Sequence, residues 1–98
     1  MTNRKQAIAT ELVRDDRVVV TRYDFEQNSE TGWHRHEMDY VVVALTECQM
    51  LIEDQAGSST VNVARGEAYS RQAGIAHNVV NAGDQAMSFV KTELVPAK

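Results

Sequence analysis

The chain has 98 residues, which is enough for one domain and too short for two. With 43% hydrophobic and 24% charged residues, the composition excludes a disordered or fibrous chain and indicates a folded globular protein. The net charge of −4, without any cluster of Lys and Arg, argues against a nucleic-acid surface, and no apolar run approaches the roughly 20 residues of a membrane helix.

The N-terminal segment is basic at its start, but charged residues at positions 11 and 14–16 follow before any long apolar stretch. It therefore lacks the hydrophobic region of a secretory signal. Residues 8–13 fit either a short strand or one helical turn. Cys48 is the sole cysteine, which excludes an intrachain disulfide, and together these features predict a cytoplasmic protein.

Short β-branched runs separated by polar turns recur along the rest of the chain, and no segment shows sustained helical periodicity. Seven or eight short strands at this spacing predict one all-β domain over residues 1–98, built as a sandwich or barrel. The predicted strands are 18–25, 40–45, 49–53, 60–63, a short element that starts at Tyr69, 77–80 and 87–94.

The three histidines of the chain are the main candidates for chemistry. His34 and His36 are two positions apart, so one short strand would direct both imidazoles to the same face. Two neutral nitrogens on one rigid element favour metal binding. His77 is expected to join them from a facing strand.

A carboxylate follows the histidine pair closely. Asp39 opens the predicted strand at 40–45, and Glu37 is a fallback ligand that an unbroken strand would point away from the face of His36. Three imidazoles with one carboxylate suit Fe, Mn, Ni, Co or Zn, and they leave open positions on a six-coordinate ion. Open positions favour a catalytic site over a closed structural one.

Two segments resemble the two sequence motifs of the cupin family. The sequence GWHRHEMD at 32–39 is similar to the first motif, which has a glycine, then H-x-H, then an acidic residue, and which covers about residues 32–46 here. The sequence GEAYSRQAGIAHNVVN at 66–81 is similar to the second, G-x5-P-x-G-x2-H-x3-N. More narrowly, the first motif followed by DYVVV resembles small bacterial cupins associated with β-alanine degradation.

The resemblance implies a small double-sheet jelly roll and a single divalent metal ion (Fe, Mn, Ni or Zn) held by His34, His36, Asp39 and His77. It also implies a homodimer. The sequence departs from the motifs at two positions: Asp39 is one residue nearer to His36 than the usual glutamate, and Gln72 replaces the proline of the second motif.

Three functions remain open. The first is a mononuclear metalloenzyme that acts on a small polar metabolite, as a dioxygenase or as an isomerase or lyase. The second is a binding module without catalysis, because a fold does not dictate a function. The third is a metal-free shell that serves oligomer assembly. Side chains outside the histidine cluster can line a ligand pocket or simply fill the core or the surface: Trp33, Tyr40, Tyr69, Arg71 and Asn81.

Overall fold

A computed structural model describes residues 4–97 of the chain, in which the regular elements are all strands. Met1, Thr2, Asn3 and Lys98 lie outside the described residues, so the structure does not cover the ends of the predicted domain or the first residues of the basic N-terminus. The strands are β1 (Lys5–Gln6), β2 (Ile8–Arg14), β3 (Val18–Phe25), β4 (Ser29–Glu30), β5 (His34–Arg35), β6 (Asp39–Ala44), β7 (Cys48–Asp54), β8 (Gly57–Val63), β9 (Ala68–Arg71), β10 (Ala76–Asn81) and β11 (Met87–Leu94).

The strands form two sheets. A six-stranded sheet has the order β1-β4-β10-β7-β8, with β5 also paired to β10, and a five-stranded sheet has the order β2-β3-β11-β6-β9. Within residues 4–97, no strand pairing joins the two sheets, so they form a jelly-roll sandwich and not one continuous barrel. The predicted all-β jelly roll is therefore confirmed. Over the same residues, no helix has the length and apolar character to cross a membrane.

The alternation of side chains along each strand builds the core between the sheets. In β11, Met87 and Phe89 are buried, while Ser88 and Val90 between them are partly exposed on the outer face. The ring of Phe89 packs 5.4 Å from that of Phe25 on the neighbouring strand β3. The apolar core thus lies between the two sheets and extends up to the histidines, where Tyr40, Val79 and Phe89 belong to the core and also line a cavity beside them.

Candidate metal centre

Strand pairing brings two of the histidines together. The two-residue strand β5 pairs antiparallel with β10, and His34 lies directly opposite His77 in the register. Directly opposed residues project from the same face of a sheet with their Cβ atoms about 5 Å apart. His77 was expected from a facing strand, but it lies on the hydrogen-bonded neighbour of β5 in the same sheet.

The third histidine is positioned by its backbone. His36 follows the end of β5, where its N–H donates to the Ile75 carbonyl at 3.1 Å and its carbonyl accepts from the Gly74 N–H at 2.8 Å. Gly74 has φ +104°, a backbone conformation that a side chain would strain. The glycine of the second motif therefore holds the second histidine of the first motif in place.

The imidazole nitrogens of the three histidines converge. His36 Nε2 is 3.1 Å from His34 Nε2 and 2.8 Å from His77 Nε2, and the three ligand atoms lie within 4.8 Å of one another. Two nitrogens bound at right angles to one ion, each about 2.1 Å from it, are about 3.0 Å apart. The spacing around His36 therefore fits neighbouring ligands of a single metal ion.

Hydrogen bonds orient the His34 ring. Its Nδ1 lies 2.8 Å from the Gly32 carbonyl, so Nδ1 carries the proton and the Nε2 lone pair points into the cluster. The Gly32 N–H in turn donates to Asn78 Oδ1 at 2.9 Å, and the Asn78 amide donates to Glu30 and Glu53, each at 2.9 Å. Asn78 is a supporting residue that the sequence analysis missed, although its polar side chain inside the apolar run of β10 was a usable signal.

Burial keeps the imidazoles neutral. Desolvation is the main cause that lowers the pKa of His36 to about 3 and that of His77 to about 4, and it also lowers the pKa of His34. Repulsion from the neighbouring rings and from the Lys91 ammonium acts in the same direction. Neutral imidazoles have the lone pairs that metal binding requires.

The two carboxylates considered as ligands lie away from the cluster. Asp39 is exposed, and its Oδ1 accepts a hydrogen bond from the Ala73 N–H at 2.8 Å. Glu37 is also exposed, with its carboxylate 3.9 Å from the Arg35 side chain. The group of convergent ligand atoms in residues 4–97 contains the three histidines and neither carboxylate.

Tyr40 occupies the position where the first motif expects its acidic residue. Alternation along β6 turns Tyr40 inward and Asp39 outward, and Tyr40 is buried with its ring stacked on His36 at a centroid distance of 4.0 Å. A neutral aromatic ring therefore takes the place of a carboxylate beside the second histidine. The one-residue offset between Asp39 and the motif was the signal for this exchange.

The opposite wall of the site comes from the five-stranded sheet. Lys91 of β11 is buried and donates a hydrogen bond to the Tyr23 hydroxyl of β3 at 3.0 Å. Both residues line a cavity of about 20 Å³ together with all three histidines. Lys91 was not predicted from the sequence as a site residue, although it continues the inward series of Met87 and Phe89 at two-residue spacing.

The other candidate side chains lie in different environments, some at the cavity and some at the surface or in the core. Tyr69 lines the cavity beside Tyr40, whereas Trp33 is 60% exposed. Arg71 is exposed and lies over the Tyr69 ring at 4.5 Å. Asn81 holds a turn, because its amide donates to the Glu26 and Gln85 carbonyls at 3.2 and 2.8 Å, and Cys48 packs in the core.

Known proteins share this fold and much of this sequence. The chain is 44% identical over 94 residues to the "Beta-alanine degradation protein BauB" of Pseudomonas aeruginosa, covering 96% of this chain and 99% of that protein. A cupin domain from Bordetella pertussis superposes with a TM-score of 0.92 and 44% identity, over 96% of this chain and 98% of that one.

A more distant structure shows the fold alone. A cupin family protein with a double-stranded β-helix fold from Methanocaldococcus jannaschii superposes with a TM-score of 0.77 at 10% identity, over 97% of this chain and 85% of that one. The profile described as "Cupin domain" matches residues 21–93, a stretch that includes all three histidines and most strands of both sheets, but not β1 or β2. With this match and two close relatives in agreement, the chain belongs to the cupin family.

Proposed function

We propose that the protein binds one divalent metal ion through His34, His36 and His77, and that it acts with this ion on a small polar metabolite. The observation that carries the proposal is the convergence of three neutral imidazole nitrogens. The Nε2 atom of His36 lies 3.1 Å from that of His34 and 2.8 Å from that of His77. Three nitrogens at one point cannot all satisfy one another by hydrogen bonding, because the proton of a single N–H serves one acceptor well. A cation at that point satisfies all three lone pairs.

A bound ion would supply Lewis-acid chemistry, or oxygen activation if the ion is iron, as in a dioxygenase. The chain supplies the surroundings of the reaction. Tyr40 and Tyr69 shield the cluster from bulk water, and burial keeps the Tyr69 hydroxyl protonated with a pKa of about 12. Because Asp39 and Glu37 lie in solvent, the histidines are the ligands in this proposal and ion positions stay open for a substrate.

The volume of the cavity and the similarity to a named protein both support a small metabolite as the substrate. The cavity of about 20 Å³ at the histidines adjoins a mouth of about 180 Å³, and the two share Tyr40, Tyr69 and His77 as lining residues. This space is below the range of about 300–1,000 Å³ that drug-sized ligands occupy. The name of the Pseudomonas relative, a β-alanine degradation protein, points to a metabolite of similar size.

The test is turnover by protein loaded separately with Fe(II), Mn(II), Ni(II) and Zn(II). Oxygen consumption and product formation are measured with small amino acids, amines and hydroxy ketones, β-alanine among them. We expect uptake of about one ion per chain and turnover of at least one compound with one of the ions. Failure of all four ions to bind would contradict the proposal.

A second candidate function is ligand binding without catalysis. One observation favours it: among the described residues that line the inner cavity there is no carboxylate to act as a general base. In this case the metal-loaded protein binds one of the test compounds, as measured by calorimetry, but converts none of them with any ion.

We also propose that the chain forms a homodimer through β2. This strand lies at the edge of the five-stranded sheet, and Ile8, Leu12 and Val13 on it are 64, 52 and 45% exposed. An apolar edge strand favours pairing with another chain. Sedimentation is expected to give twice the mass of one chain and Leu12→Glu the mass of one, whereas a monomeric wild-type protein would contradict the pairing.

A further inference from the structure

The wall opposite the histidines carries a buried charge that the proposed metal site does not use. Lys91 is only 8% exposed and extends from β11 into the cavity that the three histidines line. A buried ammonium is costly unless it is paired with an opposite charge. Metal binding by the histidines therefore does not explain why the protein buries this charge.

The partners of Lys91 within residues 4–97 leave its charge incompletely compensated. Its Nζ donates to the neutral Tyr23 hydroxyl at 3.0 Å, and its closest carboxylate oxygen, on Glu93, is 3.8 Å away, beyond hydrogen-bond distance. Glu93 does not line the cavity, whereas Lys91 and Tyr23 both do. The ammonium therefore borders a space lined by histidines and aromatic rings, and Glu93 is its one carboxylate neighbour within 4.0 Å among the described residues.

The geometry of Tyr23 adds a second donor. Because the Tyr23 oxygen accepts the N–H of Lys91, the hydroxyl hydrogen remains free to donate to a ligand. The Tyr23 ring is fixed by packing against Phe89 at 5.4 Å and Phe25 at 6.4 Å. Lys91 and Tyr23 therefore present an N⁺–H and an O–H donor side by side on a rigid wall.

We propose that Lys91 and Tyr23 form the recognition site for a carboxylate group of the substrate, with the carboxylate lying between this pair and the histidine cluster. The inference rests on the proposed function, since it names the class of substrate for the same site. It makes small carboxylic acids the substrates and excludes neutral compounds of the same shape. An anion there satisfies both donors and compensates the buried ammonium.

The sizes of the two spaces orient the substrate. The inner cavity of about 20 Å³ holds about one water-sized group, enough for a carboxylate oxygen but not for a whole metabolite. The rest of the molecule then lies in the mouth of about 180 Å³. Arg71 lines that mouth and not the inner cavity, so it is a matched cationic control at the entrance.

The experiment compares the binding of acetate with that of acetamide, its neutral isostere, by titration calorimetry and ligand-observed NMR. Wild type, Lys91→Met, Tyr23→Phe and Arg71→Met are each measured in zinc-loaded and in metal-free form. We expect wild type to prefer acetate, Lys91→Met to weaken acetate binding by about tenfold or more, and Tyr23→Phe to weaken it by a smaller factor. Arg71→Met is expected to retain the wild-type affinity for acetate.

Two results would overturn the inference: equal binding of acetate and acetamide by wild type, or acetate affinity that Lys91→Met leaves unchanged. Both variants are expected to keep the fold, because Lys91→Met places an apolar chain beside Met87 and Phe89, and Tyr23→Phe keeps the packed ring. Thermal unfolding of each variant checks this. Zinc content is measured in every sample. A protein that takes up no zinc contradicts the metal proposal, while the metal-free titrations still test Lys91.

Discussion

Replacing His34 and His77 together with alanine is expected to reduce the metal content from about one ion per chain to background. The two rings project side by side from paired strands, and His36 alone cannot hold an ion against water and buffer. The measurement is elemental mass spectrometry on untagged protein after reconstitution and removal of free metal. Thermal unfolding of the metal-free variant shows whether the fold is retained.

Asp39→Asn is the matched control for this loss. Asparagine keeps the side-chain oxygen that accepts from the Ala73 N–H, and it removes only the charge of the carboxylate. Since Asp39 lies in solvent away from the histidines, we expect Asp39→Asn to bind the same amount of metal as wild type. Full metal content in the double histidine variant would contradict the site, and loss in Asp39→Asn would restore Asp39 as a ligand.

The largest effect on stability is expected from Phe25→Ala. Phe25 is 2% exposed and its ring packs against Tyr23 and Phe89, so its removal leaves a cavity in the thin core between the sheets. Truncation of a buried phenylalanine typically costs about 3–5 kcal/mol. In a domain of this size, that cost lowers the unfolding temperature by more than about 10 °C.

The control for Phe25→Ala is Trp33→Ala. It deletes a larger aromatic side chain that is 60% exposed, so we expect the free energy of unfolding to fall by less than about 1 kcal/mol. Calorimetric or chemical unfolding of metal-free samples compares the two variants. Similar losses of unfolding free energy in both variants would contradict the placement of Phe25 in the core between the sheets.

Most of the long strands were predictable because their β-branched runs alternate with inward apolar residues, although β8 begins at Gly57 and not at the predicted residue 60. The predicted bounds of β3 and β11 match the structure, and those of β6 and β7 differ by one residue at each end. The two-residue strands β1 and β4 could not be predicted, because their pairing depends on distant partners, β1 on β4 and β4 on β10. The short strand expected to carry both His34 and His36 forms as β5 but ends at Arg35. The same dependence decided β2, whose sequence fits a strand or a helical turn and whose pairing with β3 selects the strand.

At the site, the histidines were predictable and their surroundings were not. The H-x-H spacing and the second motif identify all three imidazoles, which the structure brings together. The inward direction of Tyr40 and the outward direction of Asp39 depend on the register of β6 against β11, which local sequence does not determine. Alternation along β11 puts Lys91 on the face of Met87 and Phe89, but which face of the strand is buried becomes clear only with the other sheet in place.

The three histidines lie on segments that differ in how firmly strand pairing holds them. His77 lies in the six-residue β10, which pairs with β7 in the middle of its sheet. His34 lies on β5, which has only two residues and, within residues 4–97, pairs with β10 alone. Short segments with few cross-strand bonds open locally at a small fraction of the global unfolding free energy. An ion bound by all three histidines would clamp the weakly held segment to the firmly held strand. Amide exchange near β5 is therefore expected to slow on ion binding by more than the general stabilisation of the folded state accounts for.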